Sequence, residues 1–281
     1  MNALRLLVVH WNQPEACART VSAFLDQGLA LEVTVIDNNS FPELFQRLKS
    51  IIDPRVTLVR LSENRGWGGA LNLALRDWLR HETGSYCLIS AHDALPESDC
   101  VSLLLSAVER DVRVGIACPQ YPEPIITSLS RWHGVQPKAA RPGERGLSQE
   151  IDVPHGTVLL VRRECLQEIG LFDPRYFAYG DEHELGARAV RKGWKVVIVW
   201  GAVVVNPTTS TENAWRSYLF ARNSLLLVHD YFGGWAATLR ALLILANTIR
   251  LGLLQRRPLA LRARCRGVWD YLTGHMGRPP L

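Results

Sequence analysis

The chain has 281 residues, 47% of them hydrophobic, and a formal net charge of +5. That length and apolar content suit one large domain with a sizeable core, or one domain with a small appendage. The charge is too mild to demand a polyanionic partner, and no Lys/Arg run interleaved with aromatics argues for nucleic acid.

The apolar run at the N-terminus is too short for a signal peptide, and Leu6 to Val9 predicts a buried first strand. Pro14 to Gln27 predicts a helix ended near Gly28. The β-branched run Leu31 to Ile36 predicts a strand, followed by a turn at Asp37-Asn38-Asn39-Ser40. A helix follows over Pro42 to Ile52, a strand over Val56 to Leu61, a helix over Trp67 to Arg80 and a strand over Tyr86 to Ser90. Strands alternating with helices predict a mainly parallel sheet with covered faces. Ligands of such sheets bind outside the carboxyl ends of the strands, where Asp37, Asn64 and Asp93 should converge. Pro119 to Glu150, rich in Pro, Gly and Arg, predicts a long irregular flap. Strands resume over Thr157 to Val161 and Trp194 to Val205, the latter with a bend at Gly201. Cys17, Cys87, Cys100, Cys118, Cys165 and Cys265 form no CxxC pair, and most have apolar neighbours. They fit a reducing cytoplasm.

The densest chemistry lies between Phe172 and Arg188. Aromatic residues Phe172, Tyr176, Phe177 and Tyr179 precede Asp181, Glu182 and Glu184, which open a helix. The helix dipole accounts for part of the acid cluster, but not for the aromatics before it. A carboxylate held beside aromatic rings has a raised pKa and suits a general base. Glu184 and Arg188 sit at i,i+4 spacing, which would stiffen the helix.

The other constellations are each ambiguous alone. Asp37 is either an Asx-turn residue or a carboxylate for a base or ribose. Glu63-Asn64-Arg65-Gly66-Trp67-Gly68-Gly69 allows close backbone approach, with Arg65 toward phosphate, or is a helix-starting turn; it lacks dinucleotide GxGxxG spacing. Asp93 is either a metal-holding carboxylate or a helix N-cap near Glu97. His92 is a packed histidine or a ligand.

Taken in order, the series Val35 to Ser40, Asn64 to Gly68, Asn72, Asp93, Gly156, Gly170 to Asp173, Asp181 to Leu185, Arg188 and Arg222-Asn223 resembles the family 2 glycosyltransferases of GT-A fold. Within that family it looks most like the rhamnosyltransferase-type branch. The resemblance implies an α/β fold with a catalytic domain over residues 1–228, its nucleotide half about 1–95 and acceptor half about 96–228. A helical, basic amphipathic extension would occupy 229–281. It implies Glu182 as catalytic base with Asp181 beside it. Donor contacts are implied for His10, Trp11, Asn12, Asp37, Asn38, Asn64, Arg65, Gly66, Trp67, Asn72 and Asp93. Acceptor contacts are expected from Trp132, His155, Gly156, Tyr179, Glu184 and Arg188. A divalent cation, Mg²⁺ or Mn²⁺, would sit at Asp93, with weaker claims for His92 and Asn206. Two departures thin that ligand set: Ala91 replaces the first acid of the DxD motif, and Asn206-Pro207 replaces a histidine.

The expected partners are a nucleoside-diphosphate sugar, such as an activated deoxysugar, and a saccharide, lipid-linked or natural-product hydroxyl. Competing readings are a catalytically inactive glycan-binding homologue and a nucleotidyltransferase, although Gln13-Pro14-Glu15 makes a poor phosphate-gripping loop. The tail from Trp235 to Gln255 carries an apolar face of Leu239, Leu242, Leu243, Ala246, Ile249 and Leu253, with Arg240, Arg250, Arg256, Arg257, Arg262, Arg264 and Arg266 nearby. The uncharged stretch between Arg240 and Arg250 is nine residues, too short to span a bilayer. Peripheral contact with the inner face of the cell membrane, or packing on the catalytic domain or in a homodimer, are the alternatives.

Overall fold

The structure, a computed structural model, describes residues 3–207, 213–255 and 258–279. The first half alternates as expected: β1 (Leu4–His10), α1 (Pro14–Leu25), β2 (Leu31–Asp37), α2 (Pro42–Ile51), β3 (Thr57–Arg60), α3 (Trp67–His81) and β4 (Tyr86–Ala91). A short β5 (Leu95–Pro96) leads into α4 (Cys100–Arg110) and β6 (Val114–Gln120). After them come β7 (Ile125–Ser130), β8 (Gly134–Ala139), β9 (Ser148–Glu150), β10 (Val158–Arg162), α5 (Arg163–Ile169), α6 (Asp181–Arg191) and β11 (Lys195–Val205). Two helices close the chain, α7 (Asn213–Gln255) and α8 (Pro258–Leu272).

The main sheet runs β3-β2-β1-β4-β10-β6-β11-β5, with β9 also pairing to β11. Pairing is parallel among β3, β2, β1 and β4, and β10 then runs antiparallel to both β4 and β6. The sheet is thus mixed, with parallel pairing among β1 to β4 and again between β6 and β11. Alternation along β1 divides the core. Leu6 and Val8 face Cys17, Val21 and Phe24, while Leu7 and Val9 face Leu71, Leu75 and Trp78. Each fully buried side chain of this size contributes about 1.5–3 kcal/mol from apolar burial, which fixes the strand register and so the placement of every strand end.

Two expectations change. The flap at 119–150 is not irregular throughout, because β7 and β8 pair as an antiparallel hairpin and β9 joins the sheet edge. Pro124 and Pro137 masked that pattern, and an edge hairpin tolerates them. Asp93 is not a helix cap, since α4 begins at Cys100 behind Asp99. The bend at Gly201 is present: its φ is +79°, and the β11–β6 register shifts between Val199 and Val203.

The expected boundary at 228/229 falls inside α7. This helix breaks at Gly233, whose φ of 84° and ψ of 168° are not helical. Its two arms and α8 pack together through Ala221, Leu225, Ala241, Ile244 and Val268.

Candidate active site

A cavity of about 550 Å³ opens at the carboxyl ends of β1, β2 and β4. Its walls include Trp11, Asn38, Asn64, Gly66, Trp67, His92, Asp93, Tyr121, His155, Gly156, Tyr179, Asp181, Glu182, His183, Asn206, Trp215, Arg216 and Phe220.

Asp37 and His10 lie beneath this surface, both fully buried. His10 Nε2 accepts a hydrogen bond from the Gln13 N–H, so Nδ1 carries the proton and donates to Asp37 Oδ1 at 2.9 Å. Burial pushes the Asp37 carboxyl up, but hydrogen bonds from His10 and Ser40 outweigh it and leave its pKa below the ordinary value. The pair anchors the β1 and β2 ends together and does not reach the cavity.

Asn38 organises the next layer. Its amide donates to Asn64 Oδ1 and to the Gly66 carbonyl, both at 3.0 Å, and its Oδ1 accepts from the Arg65 N–H. This draws the loop after β3 against the strand end of β2. Gly66 has φ +75° and ψ 178°, a region open essentially to glycine, and a Cβ there would overlap the Phe177 carbonyl. The Trp67 N–H donates to that same carbonyl at 2.7 Å.

Phe177 and Tyr179 both adopt left-handed backbone, with φ of 66° and 60°. Non-glycine residues resist this conformation by roughly 1–2 kcal/mol each, so the loop needs an external hold. Asn223 on α7 supplies it: its amide donates to the carbonyls of Tyr176, Ala178 and Tyr179 at 2.9, 2.8 and 2.7 Å. Arg222, fully buried, donates to the Tyr176 carbonyl at 3.1 Å and to Gly277 at 2.8 Å.

The loop delivers Asp181 and Glu182 to the cavity wall at the start of α6. Asp181 is buried, with Oδ2 accepting from the Gly68 N–H at 2.8 Å and Oδ1 without a hydrogen-bond partner among the described residues. Burial, then the adjacent Glu182 charge, raises its pKa well above the ordinary carboxylate value. Glu182 Oε2 accepts from the Gly180 N–H at 2.9 Å, and Oε1 lies 3.5 Å from His183 Nε2. Burial lowers His183 to about 4, so the ring is neutral near pH 7. A Cβ at Gly156 would come within 3.2 Å of Glu182 Cγ and Cδ, so a side chain there would press on Glu182.

Asp93, which also lines the cavity, is raised to about 6, chiefly by burial, and the Asn206 amide lies 3.4 Å from its Oδ1. His92 Nδ1 lies 3.2 Å from the Val9 carbonyl, which assigns the proton to Nδ1. Its Nε2 is buried without a partner in the described residues. Burial lowers His92 to about 4, so this Nε2 lone pair is available near pH 7. No cluster of three or more His, Cys, Asp or Glu that could hold a metal occurs among the described residues. The donor set here is one carboxylate, one amide and one imidazole lone pair. It fits a hard cation that takes most of its oxygen ligands from a bound diphosphate and water.

Several residues expected at the site lie elsewhere. Asn12 is a turn residue, its Oδ1 accepting from the Phe41 N–H. Asn72 is exchanged with Phe172, accepting from its N–H and donating to its carbonyl. Arg65 pairs with Glu63 at 3.1 Å and lines a separate polar cleft. Glu184 and Arg188 form the expected i,i+4 pair, at 2.6 Å, and Arg188 also donates to Leu171, so they brace α6 instead of facing the cavity. Trp132 sits at the tip of the β7–β8 hairpin, 48% exposed and away from the cavity. Sequence reasoning missed the wall supplied by α7, Trp215, Arg216, Leu219 and Phe220. The available signal was Trp-Arg-x-Tyr-Leu-Phe just ahead of Arg222-Asn223.

Comparison with known proteins identifies the family and the fold. The family model described as glycosyl transferase family 2 matches residues 6–170, ending before Asp181 and Glu182. The N-acetylglucosaminyl-diphospho-decaprenol L-rhamnosyltransferase of Mycobacterium tuberculosis is 35% identical over 108 residues, 37% of this chain and 35% of that protein. The low-salt glycan biosynthesis hexosyltransferase Agl10 of Haloferax volcanii is 24% identical over 248 residues, 83% of this chain and 77% of that protein. Among solved structures, the mannosyltransferase PcManGT from Pyrobaculum calidifontis, in complex with GDP-Man and Mn²⁺, aligns with a TM-score of 0.57 at 18% identity, over 96% of this chain and 86% of that one. GalNAc-T7 with UDP, GalNAc and Mn²⁺ aligns at 0.60 and 14% identity, over 85% and 53%. The shared architecture is the GT-A fold anticipated from the sequence.

Proposed function

Because the chain belongs to glycosyl transferase family 2, we propose that this cavity moves a sugar from a nucleoside diphosphate to an acceptor hydroxyl, with inversion at the anomeric carbon. The observation that carries the reading is the asymmetric acid pair. Asp181 is buried on the Gly68 N–H with its pKa raised by burial, while Glu182 lines the cavity with Oε2 held by the Gly180 N–H.

Glu182 takes the proton of the acceptor hydroxyl. The acceptor oxygen forms its bond to the anomeric carbon as the bond from that carbon to the diphosphate oxygen breaks, and the nucleoside diphosphate leaves. Trp11, Asn38, Asn64, Gly66 and Trp67 form the nucleotide side, with His10 and Asp37 positioning them from below. Arg216, which lines the cavity, takes the role toward the leaving diphosphate that Arg65 was expected to fill. Charge developing on that group in the transition state is where a fixed cation accelerates the reaction. Asp93, with Asn206 and His92, would hold a Mg²⁺ or Mn²⁺, which supplies further neutralisation of the diphosphate when bound. Tyr179, His155 and Phe220 form the acceptor side, and Gly156 leaves room for Glu182.

The name of the Mycobacterium relative supports an activated deoxysugar such as rhamnose as donor and a lipid-linked saccharide as acceptor. Free cysteines, five of them buried, support a cytoplasmic setting. The test is a panel of nucleotide sugars and saccharide acceptors, with and without Mn²⁺, followed by mass spectrometry of the products. A mass gain of one sugar residue on an acceptor is the expected result. No transfer from any donor, with no thermal shift from any nucleoside diphosphate, would sink the proposal.

A further inference from the structure

The second arm of α7 is apolar on both sides, yet only one side is used in packing. Ala237, Ala241, Ile244 and Thr248 are buried against the first arm and α8. On the other side Trp235, Leu242 and Ile249 recur every seven residues and form one stripe. They are 76%, 58% and 65% exposed, with Leu243 beside them. Of the face expected from the sequence, Leu242, Leu243, Ala246 and Ile249 are exposed, while Leu239 is half-buried. Leu253, Arg256 and Arg257 of that expectation lie outside the residues whose side chains are described.

Charge selects the occupant. From Tyr231 to Trp269 the sequence contains no Asp or Glu and seven arginines. Arg240 is turned inward to Ser224 Oγ at 3.3 Å, whereas Arg250 and Arg262 are exposed. On α8, Arg262, Arg266 and Trp269 share a stripe, and Trp269 is 60% exposed. Exposed tryptophans and arginines around an apolar stripe suit the interface of an anionic bilayer, where indole rings and cations meet headgroups. By length and composition the span Ala214–Arg250 could cross a membrane. Its first arm, however, walls the catalytic cavity and carries buried Arg222 and Asn223, and the helix breaks at Gly233. Crossing would pull the catalytic loop apart, so the arm lies on the surface.

We infer that the second arm of α7 and α8 dock the protein peripherally on an anionic lipid surface, through the stripe Trp235, Leu242 and Ile249 with Arg250 and Arg262. This goes beyond the transfer chemistry and does not depend on it.

The test is sedimentation of the full chain with vesicles of phosphatidylglycerol and phosphatidylcholine in equal parts, against vesicles of phosphatidylcholine alone. Binding is expected to the first, far less to the second, and to weaken as salt is raised. Arg250→Gln with Arg262→Gln should weaken binding about tenfold to thirtyfold, from the worth of two cations near an anionic surface. Trp235→Ser should weaken it independently. Both variants should melt as the parent does, because these side chains are outside the packed face. Protein left in the supernatant with anionic vesicles at low salt overturns the inference. So does a parent dimer that Trp235→Ser converts to monomer without any vesicle binding, because a second copy would then be the occupant.

Discussion

Asn223→Ala asks whether α7 holds the catalytic loop in its working shape. The wild-type amide has two hydrogens directed at three carbonyls, of Tyr176, Ala178 and Tyr179, and is buried. A buried carbonyl left without a partner costs about 1–3 kcal/mol, and two hydrogens satisfy two of the three at a time. Arg222 still donates to Tyr176 in the variant, and the loop can relax the left-handed strain at Phe177 and Tyr179. The net loss should therefore sit near about 2–3 kcal/mol. At roughly 2–4 °C per kcal/mol for large domains, the melting temperature should fall by about 4–12 °C. Relaxation also moves the Gly180 N–H away from Glu182. Turnover should drop at least about tenfold, the effect of 1.4 kcal/mol on a barrier, while affinity for the nucleoside diphosphate changes little. Thermal melts and steady-state kinetics on the same preparation read both quantities. A melting temperature within about 1 °C of the parent with unchanged turnover would refute the loop-clamp argument, since the structural cost cannot be that small.

Glu182→Gln keeps size and removes basicity, so turnover should fall by about 10² to 10⁴ with nucleotide binding intact by calorimetry; near-normal turnover excludes Glu182 as the base. Asp181→Asn should retain most of its turnover, because Asn keeps the acceptor for Gly68 and mimics the protonated acid; a loss as large as that of Glu182→Gln would move the base to Asp181. The same variant tests linkage. Asp181 has a folded pKa above its unfolded one, so its contribution is fully present below about pH 4 and is lost as pH rises through the folded value. The melting temperature of Asp181→Asn should thus exceed the parent's most at neutral and alkaline pH and meet it near about pH 4, and a gap that widens on acidification would reverse the assignment. Asp93→Ala should weaken diphosphate binding and blunt stimulation by Mn²⁺, an expectation that full activity of the parent in excess EDTA would defeat.

The strands of the nucleotide half were legible because their β-branched runs are buried on both faces, as at Val33, Val35 and Ile36. The hairpin over 125–139 was not, since its six β7 positions are all half-buried and its partner strand contains Pro137. Glu182 was legible because the acid pair and the aromatic loop adjoin in sequence. Arg216 was not, because the closure of α7 over the cavity is a long-range event with no local pattern. Asp37 shows a partner that the sequence did not reveal. Its position after a strand suggested a ligand contact, and the structure adds a histidine of the neighbouring strand that hydrogen-bonds the carboxylate.

The last turn of the described chain bears on when the site can exist. Gly277 receives a hydrogen bond from Arg222 and donates its own N–H to the Arg175 carbonyl, each at 2.8 Å. The loop ahead of Asp181 is therefore gripped by Arg222 and Asn223, 44 to 47 positions later, and by Gly277 well beyond them. During synthesis the sheet and its two cores are complete once β11 has emerged, while the loop still lacks both of its anchors. A ribosome-stalled chain ending before α7 would be folded in its strands and silent in its chemistry, and activity would switch on only as Gly277 clears the exit tunnel.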